Sequence, residues 1–142
     1  MKDSKEVLSS ILKTTQMGQI GIRSVQDAAL RPEMKQALSD QLKEYDAIET
    51  QAHNLADERG WQVEELDPGV RKMAEMMTRA RLRGRNKDSK IAAMMMKGNT
   101  RGIIKGLKNI HRYHGKDPRI MALSQKLLDC ESENIKQMER FL

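Results

Sequence analysis

A chain of 142 residues with 38% hydrophobic and 32% charged residues is long enough to close one core, and with no run of 18 consecutive apolar residues it excludes a membrane-spanning helix. Only Tyr45, Trp61, Tyr113 and Phe141 are aromatic, so the core must be filled by Leu, Ile, Met and Ala, which points to an all-α protein of one domain. The net charge of +6 is unevenly spread: residues 71 to 116 hold 14 Lys and Arg against Glu75 and Asp88, and the remainder holds 12 basic and 18 acidic residues, an asymmetry that suits an anionic partner or an acidic surface on a second copy.

Asp3 followed by Glu6 reads as a helix start, and Val7, Leu8, Ile11, Leu12, Thr15, Gln19, Ile22 and Val25 continue at helical spacing, predicting a first helix over 4–29. Its apolar line is interrupted by Thr15, Gly18 and Gln19, with Gln16 at the edge of the same patch. Pro32 suits the first turn of a second helix over 32–59, with Leu38, Leu42, Tyr45, Ile48, Ala52, Leu55 and Ala56 on its buried line and Gly60 as its stop. Glu49 falls on that line, and His53 lies one turn beyond it, close enough to share a hydrogen bond or a ligand. Asp67-Pro68 opens a shorter helix over 68–83, whose stripe is Val70, Met73, Met76, Met77 and Ala80, and the alternating cations from Arg79 to Lys87 read as its frayed end.

Asp88 and Ser89 read as the cap of a long helix over 89–114. Stepping along it, Lys90, Lys97, Arg101, Lys105, Lys108 and Arg112 form a cationic line broken only by Met94, roughly 33 Å long at helical rise. The opposite line is Ala92, Met95, Met96, Asn99, Ile103, Leu107 and Ile110, which predicts an inward face with Asn99 as an interior polar residue. Asp117-Pro118 opens the last helix, over 118–141, with Met121, Ser124, Leu128, Glu131, Ile135, Met138 and Leu142 on its buried line. Four long helices and a short one predict a four-helix bundle. The short turns make each terminal pair antiparallel, and the 28 residues from Trp61 to Asp88 are enough to run the bundle's length.

This layout, with Glu49 and Glu131 on interior faces of the second and fourth long helices, resembles the ferritin-like superfamily. The resemblance implies a bundle of two antiparallel hairpins joined by a crossover containing a short helix. In metal-binding members it also implies a carboxylate on each of the first and third long helices and Glu-x-x-His on the other two. Here Glu131 is followed three residues later by Asn134, and Glu49 by Ala52, with His53 one residue late. Gln16 and Gln19 stand where the first carboxylate is expected, and Ala93 and Asn99 mark the corresponding part of the third long helix. Two hard metals need more anionic oxygens than this set supplies, so no cofactor is predicted, and iron, manganese or zinc on Glu49, His53 and Glu131 is the minority reading.

The bland reading of both glutamates is a buried carboxylate satisfied by Tyr45, Gln16, Gln19 or Thr15, and no nucleophile or phosphate loop accompanies them, so the chain is read as non-catalytic. His111 and His114 suit a helix C-terminus, and the consecutive Met94, Met95 and Met96 point about 100° apart, as packing residues do. The leading expectation is a structural or interaction protein that associates as a homodimer. The alternative is sequence-independent binding of nucleic acid or another polyanion through the cationic helix, and the third is an oxidoreductase with a degenerate metal site. A single cysteine, Cys130, and a polar N-terminus predict a cytoplasmic protein without a membrane partner.

Overall fold

The computed structural model describes residues 1–142, and its secondary structure is all-α: five α-helices, a short 3₁₀ turn and no strand beyond one isolated bridge between Lys2 and Tyr113. Four of the helices begin on residues whose chemistry favours a start. Helix α1 (Ser4–Val25) is capped by Asp3, which accepts from the Glu6 amide at 2.8 Å. Helix α2 (Pro32–Arg59) begins on its proline and stops at Gly60, whose φ of +66° is the left-handed conformation that ends helices. Helix α3 (Pro68–Arg81) and helix α5 (Pro118–Glu139) share one device, an aspartate before a proline: Asp67 accepts from Gly69 at 2.8 Å and Asp117 from Arg119 at 3.0 Å.

The helix ends expected at 83, 114 and 141 come two residues early, and two further boundaries move. Helix α1 gives way at Val25 to a 3₁₀ turn, Gln26–Ala28. Helix α4 (Lys87–Arg112) starts two residues early, after Asn86 at φ 60°, with no side-chain cap. Asp88 does not cap it. Its carboxylate accepts from the amides of Leu30 (2.8 Å) and Arg31 (3.0 Å), so an acidic residue in the first turn of α4 clamps the turn between α1 and α2.

Helix α1 packs on α2 and α4 on α5, while α1 also meets α4 and α2 meets α5. At the other end of α4, the Lys2 amide donates to the Arg112 carbonyl (2.8 Å) and the His114 amide to the Lys2 carbonyl (3.2 Å). With one end of α4 held at Leu30 and the other at Lys2, α1 and α4 run antiparallel. Between them sits a core of 25 buried apolar residues that includes Leu8, Leu12, Ile22, Leu38, Ile48, Ile91, Ile120 and Met138. No helix is long and apolar enough to cross a membrane.

From Trp61 to Asp67 the chain lies extended along α1. The Glu64 amide donates to Ser9 Oγ (3.0 Å) and the Leu66 amide to Gln16 Oε1 (2.9 Å). Helix α3 then packs on α1 and buries only Thr78. Its methionine stripe faces outward: Met73, Met76 and Met77 are 66%, 71% and 50% exposed, because a short helix with one substantial neighbour covers only a narrow strip. The inner line of α4 is also rotated from expectation. Ile91, Ala92, Met95, Asn99, Gly102 and Asn109 are buried, whereas Leu107 is exposed. Met121 and Leu142, expected on the buried line of α5, are exposed as well. Glycine explains the rotation in α4: a Cβ on Gly102 would collide with the Glu131 carboxylate, and one on Gly106 would sit 2.9 Å from Leu128 Cδ2, so these residues turn inward and let α5 come close.

Candidate functional site

Where α5 closes on Gly102, it buries a carboxylate. Glu131 is 2% exposed and is surrounded by neutral groups from three helices: Tyr45 of α2, Asn99 of α4 and Asn134 of α5, all buried. The Tyr45 hydroxyl donates to Asn99 Oδ1 at 2.8 Å and lies 3.4 Å from Glu131 Oε2. Asn134 Nδ2 lies 3.4 Å from the same hydroxyl and 3.3 Å from Asn99 Oδ1, while Asn99 Nδ2 donates to the Met95 carbonyl at 2.7 Å. Tyr45 reaches this point because Gly18 of α1 leaves room for its ring, which a Cβ there would strike. Burial without a cation pushes the Glu131 carboxyl up to about 8, against the opposing hydrogen bond from Tyr45, so at neutral pH the group is mostly protonated. Burial, then the charge of Glu131, raises the Tyr45 phenol, and burial followed by Glu44 raises the Cys130 thiol.

Glu49 belongs to a different network. It accepts from Gln16 Nε2 (3.2 Å) and Gln19 Nε2 (3.3 Å), while Gln19 also donates to Asp46 (2.8 Å) and Gln16 to Glu65 (3.0 Å). His53 does not join Glu49. Its Nε2 lies 2.6 Å from Glu65 on the extended segment, an interaction that holds the Glu65 carboxyl below the usual carboxylate range. Thus Gln16 and Gln19 turn to Glu49, Tyr45 reaches Glu131 and Asn99, and Thr15 bonds its own helix at Ile11.

The metal ligands named from the sequence are therefore divided between two networks, and nowhere do three or more His, Cys, Asp and Glu converge in a way that could hold an ion. A divalent pair needs several anionic oxygens, and a single carboxyl raised to about 8 among amides and a phenol does not fit it.

Above the buried glutamate lies a cavity of about 380 Å³ between α1, α3 and α4. Its floor holds Gln41, Tyr45, Asn99 and Glu131, and Met17, Met94 and Met95 are among its walls. Lys13, Arg81, Lys97, Arg101 and Lys105 also line it. Gln41 Oε1 and Glu131 Oε1 are buried out of reach of solvent without a hydrogen-bond partner in the protein, although Gln41 Nε2 donates to Gln137 (2.9 Å). Sequence reasoning does not single out Gln41 or Asn134 as site residues. The spacing of Gly98, Gly102 and Gly106, one turn apart, is the available signal that something approaches α4 there.

The cationic line of α4 is largely free. Lys97, Arg101, Lys105, Lys108 and Arg112 are exposed, and none takes part in the seven ion pairs of the molecule. Lys90 departs from the line: it is half-buried, and its ammonium donates to the Arg83 carbonyl at 2.6 Å. Partial desolvation, and then repulsion from Lys13 and Lys2, holds the Lys105 ammonium below the ordinary lysine range. No family model, curated protein or solved structure matches the chain.

Proposed function

We propose that this protein is a non-catalytic binding protein, built as a ferritin-like four-helix bundle, that takes a polyanion, nucleic acid in the first instance, on the basic face of α3 and α4. The observation that carries this reading is the set of five exposed α4 cations without a carboxylate partner. Arg79, Arg81, Arg83 and Arg85 extend the same charge along and beyond α3, and they too lack ion pairs. Cations left unneutralised by the fold are the groups that gain most when phosphates replace their counterions. The bundle reading is supported by the two hairpins and by the antiparallel course of α1 and α4, which makes the segment from Trp61 to Asn86 a crossover from one end of the molecule to the other.

The test is retention of the purified protein on immobilised single-stranded DNA and on heparin across a salt gradient. Retention that falls steeply between about 50 and 200 mM salt is expected of several phosphate contacts. Elution at the lowest salt would remove the reading. Self-association is a second element of the proposal, favoured by Ile104 and Leu107, which stand 49% and 44% exposed on α4. Sedimentation equilibrium is expected to give a dimer at high concentration, and a monomer throughout would exclude it.

A further inference from the structure

The cavity between α1, α3 and α4 exists because α3 turns its bulk away from its neighbours. Its methionine stripe faces solvent and it sets Ala74 and Thr78 toward the space, while α4 contributes Gly98, where nothing lies within 4 Å of an added Cβ. Small side chains on facing helices leave room that the chain itself does not fill. A volume of about 380 Å³ is that of a small-ligand pocket.

Two properties of the lining say what fits. Ile20, Leu66, Met94 and Met95 are buried or half-buried and make the wall apolar. Deeper in, the Tyr45 hydroxyl is bonded to Asn99, and the free oxygens of Gln41 and Glu131 are shut off from solvent, so the inner end asks no hydrogen bond of a ligand. On the solvent side stand Arg81, Lys97, Arg101 and Lys105, all exposed and none in an ion pair. The last three follow at one-turn spacing and form one row on α4. The one carboxyl of the lining, Glu131, is mostly protonated at neutral pH and does not offset them. Partial desolvation of the Lys105 ammonium strengthens its attraction for an anion. An apolar interior with free cations at its opening matches a molecule that is apolar along its body and negative at one end.

We propose that this cavity binds one medium-chain alkyl carboxylate, its chain lying against Ile20, Leu66, Met94 and Met95 and its carboxylate meeting Arg101 and Lys105. A methylene group takes about the room of a water molecule, roughly 30 Å³, so the cavity holds a chain of about ten carbons and not the paired chains of a phospholipid. The site goes beyond the polyanion surface and does not rest on it, although Arg101 and Lys105 belong to both.

The experiment titrates the full-length protein by calorimetry with hexanoate, octanoate, decanoate and dodecanoate, each below its micelle concentration. Acetate measures the anion alone, 1-octanol the chain alone, and co-sedimentation with phosphatidylglycerol vesicles a bilayer surface. Decanoate is expected to saturate at a single site, with affinity rising about fourfold for each methylene up to about ten carbons and levelling off beyond. Arg101→Gln with Lys105→Gln changes only exposed side chains and is expected to weaken octanoate by about fivefold while leaving 1-octanol unchanged. Gly98→Leu fills the space; it is expected to keep the wild-type circular dichroism and cooperative melting while flattening the chain-length series. If that variant unfolds, the exposed pair of substitutions decides alone. No saturable binding of decanoate, an affinity indifferent to chain length, an alcohol bound as tightly as its carboxylate, or a series that survives Gly98→Leu would overturn the assignment. So would octanoate binding unchanged in the exposed pair, or binding confined to vesicles. Failure of every carboxylate beside salt-sensitive retention on DNA would remove the cavity reading and leave the polyanion surface standing.

Discussion

At the scale of single residues, Glu131 sets the pH behaviour expected between 4.5 and about 8. Its carboxyl stands near 8 in the folded chain against an ordinary value of 4.5, and burial is the main cause. Below 4.5 it is protonated in both states and contributes no pH dependence. Between 4.5 and about 8 the unfolded chain has released a proton that the folded chain keeps, so unfolding becomes easier as pH rises through this window. Above it both states are ionised and the effect levels off. A tenfold difference in proton affinity between the folded and unfolded chain is worth about 1.4 kcal/mol. Urea unfolding on the acidic and alkaline sides of that window, at about pH 5 and about pH 8.5, is expected to show a clear drop in midpoint for the wild type and a much smaller one for Glu131→Gln, which has no proton to lose. Equal drops in the two proteins would mean that Glu131 titrates normally. Tyr45→Phe removes the hydroxyl that donates to Asn99 at 2.8 Å, and the lost bond together with the acceptor left behind is expected to cost about 1–3 kcal/mol in the same assay.

At the scale of elements, the glycines of α1 and α4 are a test of how closely the helices approach. Within a helix, Gly→Ala gains up to about 1 kcal/mol from backbone entropy when the space is open. Gly98 meets that condition, so Gly98→Ala is expected to raise the thermal midpoint. At Gly102 the new methyl strikes the Glu131 carboxylate, and at Gly18 it strikes the Tyr45 ring, so steric overlap outweighs the propensity gain and both variants are expected to lose about 1–3 kcal/mol. Gly102→Ala combined with Glu131→Ala should recover part of that loss, because the double variant removes the group that was struck. If all three alanines behaved alike, helix propensity would be the whole account and the close contacts would carry none of it. The same contacts explain why the inner face of α4 is not the one that hydrophobic spacing picks out. A line drawn through Ile103 and Leu107 follows apolar area, whereas α5 settles on the face where Gly102 and Gly106 permit the shorter separation.

At the scale of the whole molecule, charge is the property most open to measurement. Lys108 and Arg112 lie on the free cationic line but outside the cavity lining. If five α4 cations each meet a phosphate of a single strand, the logarithm of the binding constant should fall with the logarithm of salt concentration at a slope of about −3.5. Lys108→Glu with Arg112→Glu is expected to make that slope shallower by about 1.4. An unchanged slope would place the contact elsewhere on the molecule. The clamp by Asp88 and the pairing of Lys2 with the end of α4 fix which helices carry this face, since together they hold α4 alongside α1 over its whole length.

Several features of the protein are determined by its sequence alone, because they depend on neighbours a few residues away. The caps at Asp3, Asp67 and Asp117, the starts on Pro32, Pro68 and Pro118, and the stop at Gly60 act within one helical turn, and they locate four of the five helices to within a few residues. The burial of Gln19, Tyr45, Asn99 and Glu131 is legible for the same reason, since each stands on an apolar stripe. Which of these polar groups meet was decided by the tertiary structure, because hydrogen bonding between helices depends on rotation and separation that periodicity does not encode. Only packing sends Glu49 to Gln16 and Gln19 and Glu131 to Tyr45, turns the methionines of α3 outward, and brings Gln41 and Glu131 to the floor of one cavity. Helix positions follow from local backbone chemistry, whereas the cavity follows from how closely glycine lets neighbouring helices approach.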